Sequence, residues 1–198
     1  FVPFTWPLFS QGVYFGYELI MDLAGAAILV GVGLALLRRV AIRPDFMENA
    51  WDDYYALIVL ALIPLVGFLN EGLRLFIGQP EWGAWSPIGA WVADLIAATS
   101  LTSLQAGALH PYVFWTHVGL GLILTASVPF TKLRHMIFTP VNIFFKTDRP
   151  EGELASIEDI MNAEELGATA IDEFSSLDLL AFDACLQCGR CQEVCPAT

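Results

Sequence analysis

Three long apolar stretches limit what this chain can fold into more than any other feature of its sequence. The predicted spans cover about residues 13–37, 54–75 and 111–135. A bilayer core about 30 Å thick is crossed by a helix of about 20 apolar residues, so each stretch is long enough. Only 15% of the residues are charged, whereas an ordinary soluble domain has about 25%. The sequence therefore predicts an all-α membrane protein built on a bundle of three transmembrane helices.

Basic side chains are unevenly distributed around these spans. Seven Lys and Arg side chains follow the first and third spans, whereas the loop between the second and third spans has only Arg74. Because Lys and Arg are enriched on the cytoplasmic side of a membrane, we predict that the first and third spans end in the cytoplasm. The protein would then be a multi-pass protein of the cell's inner (plasma) membrane, in contact with lipid.

The net charge of −12 is concentrated in the last quarter of the chain. Residues 1–146 carry 9 acidic and 7 basic side chains, but residues 147–198 carry 12 acidic and 2 basic ones. This balance argues against nucleic acid as a partner, because phosphate backbones are bound by basic patches. We predict a transmembrane domain over residues 1–146, an acidic cytoplasmic linker over 147–178, and the start of an iron–sulfur domain over 179–198.

The four cysteines form the most specific motif in the sequence. They follow the pattern C-x2-C-x2-C-x3-C-P and are Cys185, Cys188, Cys191 and Cys195. This is the bacterial ferredoxin run that binds [4Fe–4S] clusters, in which the fourth Cys ligates a second cluster. Gly189 gives the loop backbone freedom. The alternative is a zinc site, which usually uses two widely separated C-x2-C pairs. We predict the first half of a ferredoxin-like domain, and expect a second motif elsewhere in a longer protein.

The chain has only three histidines, and their spacing suggests haem ligands. His117 and His135 are 18 residues apart, or five helical turns, so they share a face if one helix continues that far. Pro129 can interrupt that helix. A separation of about 27 Å would place them at two different sites. His110 falls near the same face. Axial ligation of haem is one use of an intramembrane His; the alternative is a packed His117 and an interfacial His135.

Acidic side chains inside the first span are a second candidate for function. Glu18 and Asp22 are spaced i, i+4 and share a helix face, and buried carboxylates can relay protons. The alternative is that Glu18 lies at the membrane interface and Asp22 hydrogen-bonds a neighbouring helix. Glu71 and Arg74, spaced i, i+3, are predicted to form a structural pair at the outer end of the second span.

Taken together, these segments resemble the membrane-bound heterodisulfide-reductase-like iron–sulfur oxidoreductases, which fuse a nitrate-reductase-gamma-like cytochrome b domain to a ferredoxin-like domain. The resembling segments are residues 22–39, 67–75, 110–145 and 179–197. The resemblance implies five spans, two of them upstream of Phe1, with the partner histidines for two haems. It also implies a second cluster motif. The 198 residues would then be a piece of a longer protein.

The resemblance also implies the activity. We predict a quinone-linked iron–sulfur oxidoreductase, or a subunit of one. Electrons would pass between a soluble cytoplasmic donor and menaquinone or another quinone, through [4Fe–4S] clusters, haem b near His135 and haem b near His117. The donor would be an electron-transfer flavoprotein or a thiol/disulfide system. One alternative is a proton-translocating or structural membrane subunit of a larger respiratory complex, and another is a sensor that uses the cluster as a redox switch.

Overall fold

The computed structural model describes residues 11–43, 49–146, 170–186 and 188–196, and every regular element in these ranges is a helix. The helices are α1 (Gln11–Leu37), α2 (Trp51–Gly78), α3 (Pro87–Ala97), α4 (Ser103–Ser127), α5 (His135–Phe144), α6 (Ser176–Ala184) and α7 (Arg190–Glu193). A π-helical turn, Arg38–Ile42, extends α1. The chain forms two compact units that divide after Ser127. This architecture confirms the all-α membrane fold.

In the first unit, α2 is the central helix, because α1, α3 and α4 all pack against it. The buried core is small and lies between α2 and α4, where Leu73 contacts Ala106 and Val113. Most of the large apolar side chains on the long helices are exposed instead. A bundle that turns its apolar side chains outward is suited to lipid and not to water.

Three of the helical stretches are long and apolar enough to cross a membrane: Gly12–Ile42, Trp51–Gly78 and Ser103–Phe130. The first two overlap the predicted spans closely. The third begins about two turns earlier than expected, at Ser103 rather than Pro111. The side chain and backbone of Thr102 exchange hydrogen bonds with Gln105, which starts the helix there. Pro111 therefore lies inside α4.

The third span does not continue as one α-helix to His135. α4 ends at Ser127, and a short 3₁₀ turn, Val128–Phe130, follows it. Pro129 has no backbone N–H to donate, which favours an end at this point. Thr131 is extended and its hydroxyl accepts a hydrogen bond from the Leu133 backbone, which starts a new helical segment. His117 and His135 therefore lie on different helices. The predicted shared face required one continuous helix, and that helix is interrupted.

The second unit contains α5, α6 and α7. Ser175 and Asp178 form a capping box at the start of α6, with the Asp178 backbone N–H donating to Ser175 Oγ at 3.2 Å. α6 packs against α5 and ends one residue before Cys185. Much of the predicted acidic linker, residues 147–169, lies outside the described residues.

Candidate functional site

His117 is held against α2 by a backbone hydrogen bond. Its Nδ1 lies 3.0 Å from the carbonyl oxygen of Ile63. A carbonyl oxygen can only accept, so Nδ1 carries the hydrogen and donates it. In the neutral ring the lone pair is then on Nε2, the atom that can bind a metal. Metal-ligating histidines usually have their other ring nitrogen fixed in this way.

The absence of a side chain at Gly67 allows this close approach. A Cβ built on Gly67 would lie 3.1 Å from His117 Cε1, closer than most real contacts of a Cβ. Any larger residue would push the imidazole away from α2. We call the Ile63 carbonyl and the space at Gly67 together the seat of His117. In the sequence, a glycine in the middle of the second span was the signal for this close approach.

His135 has the same hydrogen-bonding arrangement in the second unit. Its Nδ1 lies 2.6 Å from the carbonyl oxygen of Lys132, one turn earlier in the chain. As in His117, Nδ1 must be the donor, which leaves Nε2 with the lone pair. The donor sets at His117 and His135 therefore both fit an axial haem ligand.

His110 lies on the face of α4 that packs against α2. It falls between Ala106 and Val113 of the buried core, and its Nε2 atom is buried. Across the helix pair, Asn70 Oδ1 is also buried and accepts no hydrogen bond from the described part of the chain. Asn70 is a polar residue at this helix pair that the sequence patterns did not single out.

The cysteine motif begins directly after α6, and its later part contains the short helix α7. Gly189 has φ 76° and precedes α7, which contains Cys191. This left-handed backbone is a conformation that glycine adopts without strain. All four cysteines lie in the described ranges; none is in a disulfide, and Cys185, Cys188 and Cys191 are exposed. Within those ranges, no three His, Cys, Asp or Glu side chains are gathered closely enough to hold one metal ion.

Arg74 is the centre of a polar cluster at one end of the first unit. Its Nε and Nη2 donate to the two carboxylate oxygens of Glu71 at 2.8 and 2.7 Å, as the sequence pair predicted. Nη2 also donates to Glu18 Oε1 at 3.0 Å, and Nη1 donates to Tyr14 Oη at 3.2 Å. The guanidinium lies over the Trp82 ring, 4.7 Å from its centroid. We call these five side chains the Arg74 cluster.

Asp22 caps the first turn of α3. Its two carboxylate oxygens accept the backbone N–H groups of Ile88 at 2.8 Å and of Gly89 at 3.1 Å. A carboxylate at this position satisfies two N–H groups that have no partner within the helix and interacts favourably with its dipole. One turn away on α1, Glu18 Oε2 accepts a hydrogen bond from the Ser86 hydroxyl at 3.3 Å.

These contacts favour the structural interpretation of Glu18 and Asp22. Both oxygens of Asp22 are engaged by backbone donors, and Glu18 is divided between Arg74 and Ser86. A proton relay through the two carboxylates stays a prediction. The sequence reasoning missed Tyr14, Trp82 and Ser86, because residues on separate elements carry no spacing signal that joins them.

Comparison with known proteins places the sequence in a family. Residues 10–149 match the model of the nitrate reductase gamma subunit family. The chain is 30% identical to an "EtfAB:quinone oxidoreductase" of Syntrophomonas wolfei, an alignment that covers 98% of this chain and 28% of the relative. It is 29% identical to the "Probable iron-sulfur-binding oxidoreductase FadF" of Bacillus subtilis, over 94% of this chain and 26% of the relative.

A third relative is the "Nitrate reductase-like protein NarX" of Mycobacterium tuberculosis, 27% identical over 69% of this chain and 21% of its own length. The chain thus spans between a fifth and three tenths of the length of these relatives. No solved structure matches. The nitrate-reductase-gamma-like part of the resemblance is confirmed, because the family model covers well over half of the sequence. The chain belongs to the nitrate reductase gamma subunit family.

Proposed function

We propose that this chain is the membrane part of an iron–sulfur oxidoreductase that transfers electrons between a soluble cytoplasmic donor and the quinone pool. The observation that carries the proposal is the seat of His117, which is fixed by Ile63 and leaves Nε2 to bind a metal. Its intramembrane position suits a haem inside the bilayer. The proposal extends to the donor, the quinone and the cofactors, each of which has its own support.

The cofactors are supported by the donor atoms that the chain offers. His117 and His135 would each provide one axial nitrogen to a haem b, and His110 remains a further candidate. Since the chain has three histidines in all, other axial ligands would come from outside these residues. Cys185, Cys188 and Cys191 would ligate one [4Fe–4S] cluster, and Cys195 would ligate a second. When bound, both kinds of group carry single electrons.

The donor and acceptor are supported by the printed names of the relatives. One relative is named an oxidoreductase of EtfAB and quinone, and we interpret EtfAB as an electron-transfer flavoprotein. Another is named an iron–sulfur-binding oxidoreductase. We therefore favour an electron-transfer flavoprotein over a thiol/disulfide system as the donor. The predicted orientation would expose the cysteine motif to such a donor in the cytoplasm.

The proposal is tested by spectroscopy on the full-length protein purified from membranes. We expect a haem b α-band in the reduced-minus-oxidised spectrum and an electron paramagnetic resonance (EPR) signal from a reduced [4Fe–4S] cluster. His117→Leu should remove part of the α-band and leave the cluster signal. Cys191→Ser should remove cluster signal and leave the α-band of the haem at His117, because Cys191 and His117 lie in different units of the chain.

The proposal fails if a well-folded wild-type preparation has neither signal. It is also contradicted if His117→Leu leaves the haem content unchanged, since the imidazole would then be only a packed core residue. Thr125→Val is a matched control for His117→Leu, because it also removes a polar side chain from α4. The Thr125 hydroxyl donates to the carbonyl of Gly121 within that helix.

A further inference from the structure

In the second unit, the contact between α5 and α6 joins two segments that are far apart in sequence. The Thr139 hydroxyl on α5 donates to the backbone carbonyl of Ala184 at 3.2 Å, across 45 residues of sequence. Ala184 is the last residue of α6. Its carbonyl is one of the four at a helix C-terminus that have no donor within the helix. Thr139 therefore caps α6 from another helix.

An ion pair lies at the same end of the contact. Arg134 Nη2 is 3.4 Å from Asp183 Oδ1, and the two side chains are 43% and 50% exposed. On its own, an exposed pair of this kind is a weak interaction. Beside the Thr139 bond it has a further effect, because two contacts at adjacent residues hold the C-terminal end of α6 against α5.

The residues that make these contacts flank the candidate ligands. Arg134 directly precedes His135, and Thr139 follows His135 by one helical turn on the same face. On α6, Asp183 and Ala184 are the last two residues before Cys185. The two contacts therefore bring the first cysteine of the motif to the helical turn that carries His135.

We propose that Arg134 and Thr139 are positioning residues that hold the Cys185 end of the cysteine motif beside His135, so that electrons cross between the two sites at the α5–α6 contact. This inference rests on the proposed function. The step moves one electron: the cluster held at Cys185 is oxidised by one electron, and the haem iron held at His135 is reduced by one electron, or the reverse. Because electron tunnelling slows steeply with distance, loosening this contact slows the transfer.

The experiment uses the full-length protein and exchanges the charges of the ion pair. Arg134→Asp and Asp183→Arg each replace the attraction with a repulsion, and the double variant restores it with reversed signs. Each single variant should slow the reduction of haem by the pre-reduced cluster about fivefold, the upper end of what an exposed ion pair controls. The double variant should recover most of the rate.

A second measurement, hydrogen exchange, reports on the α5–α6 contact and does not depend on a cofactor. Hydrogen exchange of the α6 backbone should rise in each single charge variant and return toward wild type in the double variant. Thr139→Val should raise it too, and Thr139→Ser, which keeps the donor, should restore it. Thr125→Val is the matched control, since that hydroxyl donates to the carbonyl of Gly121 within its own helix.

The outcomes separate this inference from the function on which it rests. If exchange rises but haem reduction keeps its wild-type rate, the contact exists and is not the electron route, and the inference is wrong. It is equally wrong if none of the variants changes exchange or rate. A wild-type protein without haem or cluster would overturn the proposed function itself, and the electron-transfer role of the contact with it.

Discussion

The two units of this chain differ in the surroundings of their polar side chains. In the first unit, charged groups among apolar helices are engaged by partners inside the fold: Arg74 contacts Glu18 and Glu71, and Asp22 caps α3. In the second unit, Cys188 and Cys191, two of the candidate cluster ligands, are exposed to solvent. The same chain thus carries charged groups that are paired within the fold and cysteines that face solvent.

The surrounding medium explains this difference. Where no water reaches, an unpaired polar group costs several kcal/mol, which favours a partner for each within the protein, as Arg74 and Asp22 have. His117 is oriented in this way, by a carbonyl of α2. Solvent-exposed thiols have no such requirement, and metal binding can itself supply the energy that orders its ligands. We therefore expect the fold to set the haem ligand in the first unit and the cluster to gather the thiols in the second.

The largest loss of stability in the first unit should come from Arg74→Gln. The change leaves Glu18 and Glu71 close together without their cation. Losing one partner of a fully buried ion pair costs ~3–5 kcal/mol; since the Arg74 side chain is 34% exposed, we expect about 2–3 kcal/mol. Thermal unfolding of the purified full-length protein, followed by circular dichroism, measures the loss. A cost no larger than that of Arg43→Gln, a change at an exposed arginine, would show that the Arg74 cluster does not stabilise the first unit.

An intermediate effect is expected at Asp22. Asp22→Leu removes the cap from α3 and should lower the free energy of unfolding by about 1–2 kcal/mol. Asp22→Asn keeps one carbonyl oxygen as an acceptor and should cost less. The same thermal unfolding measurement compares the two variants. A proton relay predicts in addition that Asp22→Asn loses quinone-linked proton movement, whatever its effect on stability.

The smallest effect on stability should come from Gly67→Ala. The added Cβ would press on His117 Cε1 and shift the imidazole by a few tenths of an ångström. We expect less than about 1 kcal/mol of destabilisation, together with a shift of the haem α-band or of the haem midpoint potential. Gly119→Ala is the matched control, because a Cβ there meets nothing within 4 Å. If both variants leave the spectrum unchanged, the seat of His117 does not set the haem ligand.

Particular elements show how far the sequence could predict the fold. The α4 start at Ser103 was readable from Thr102 and Gln105, a capping-box spacing three residues apart that hydrophobicity alone obscured. The break before His135 was indicated by Pro129, yet whether a proline ends or only bends a helix depends on the surrounding packing. The Glu71–Arg74 pair was predictable because its partners are one turn apart on one helix.

The sequence by itself determined the class of this protein and its chemical inventory. Long apolar runs dictate membrane helices, since their hydrophobicity is a property of each segment alone, and the cysteine spacing specifies a local loop. Only the tertiary structure decided which groups meet: Asp22 with α3, Arg74 with Glu18, His117 with Ile63, and Thr139 with Ala184. These contacts join elements 45 to 67 residues apart. Such pairings depend on how helices pack together, and no periodicity within a single helix encodes them.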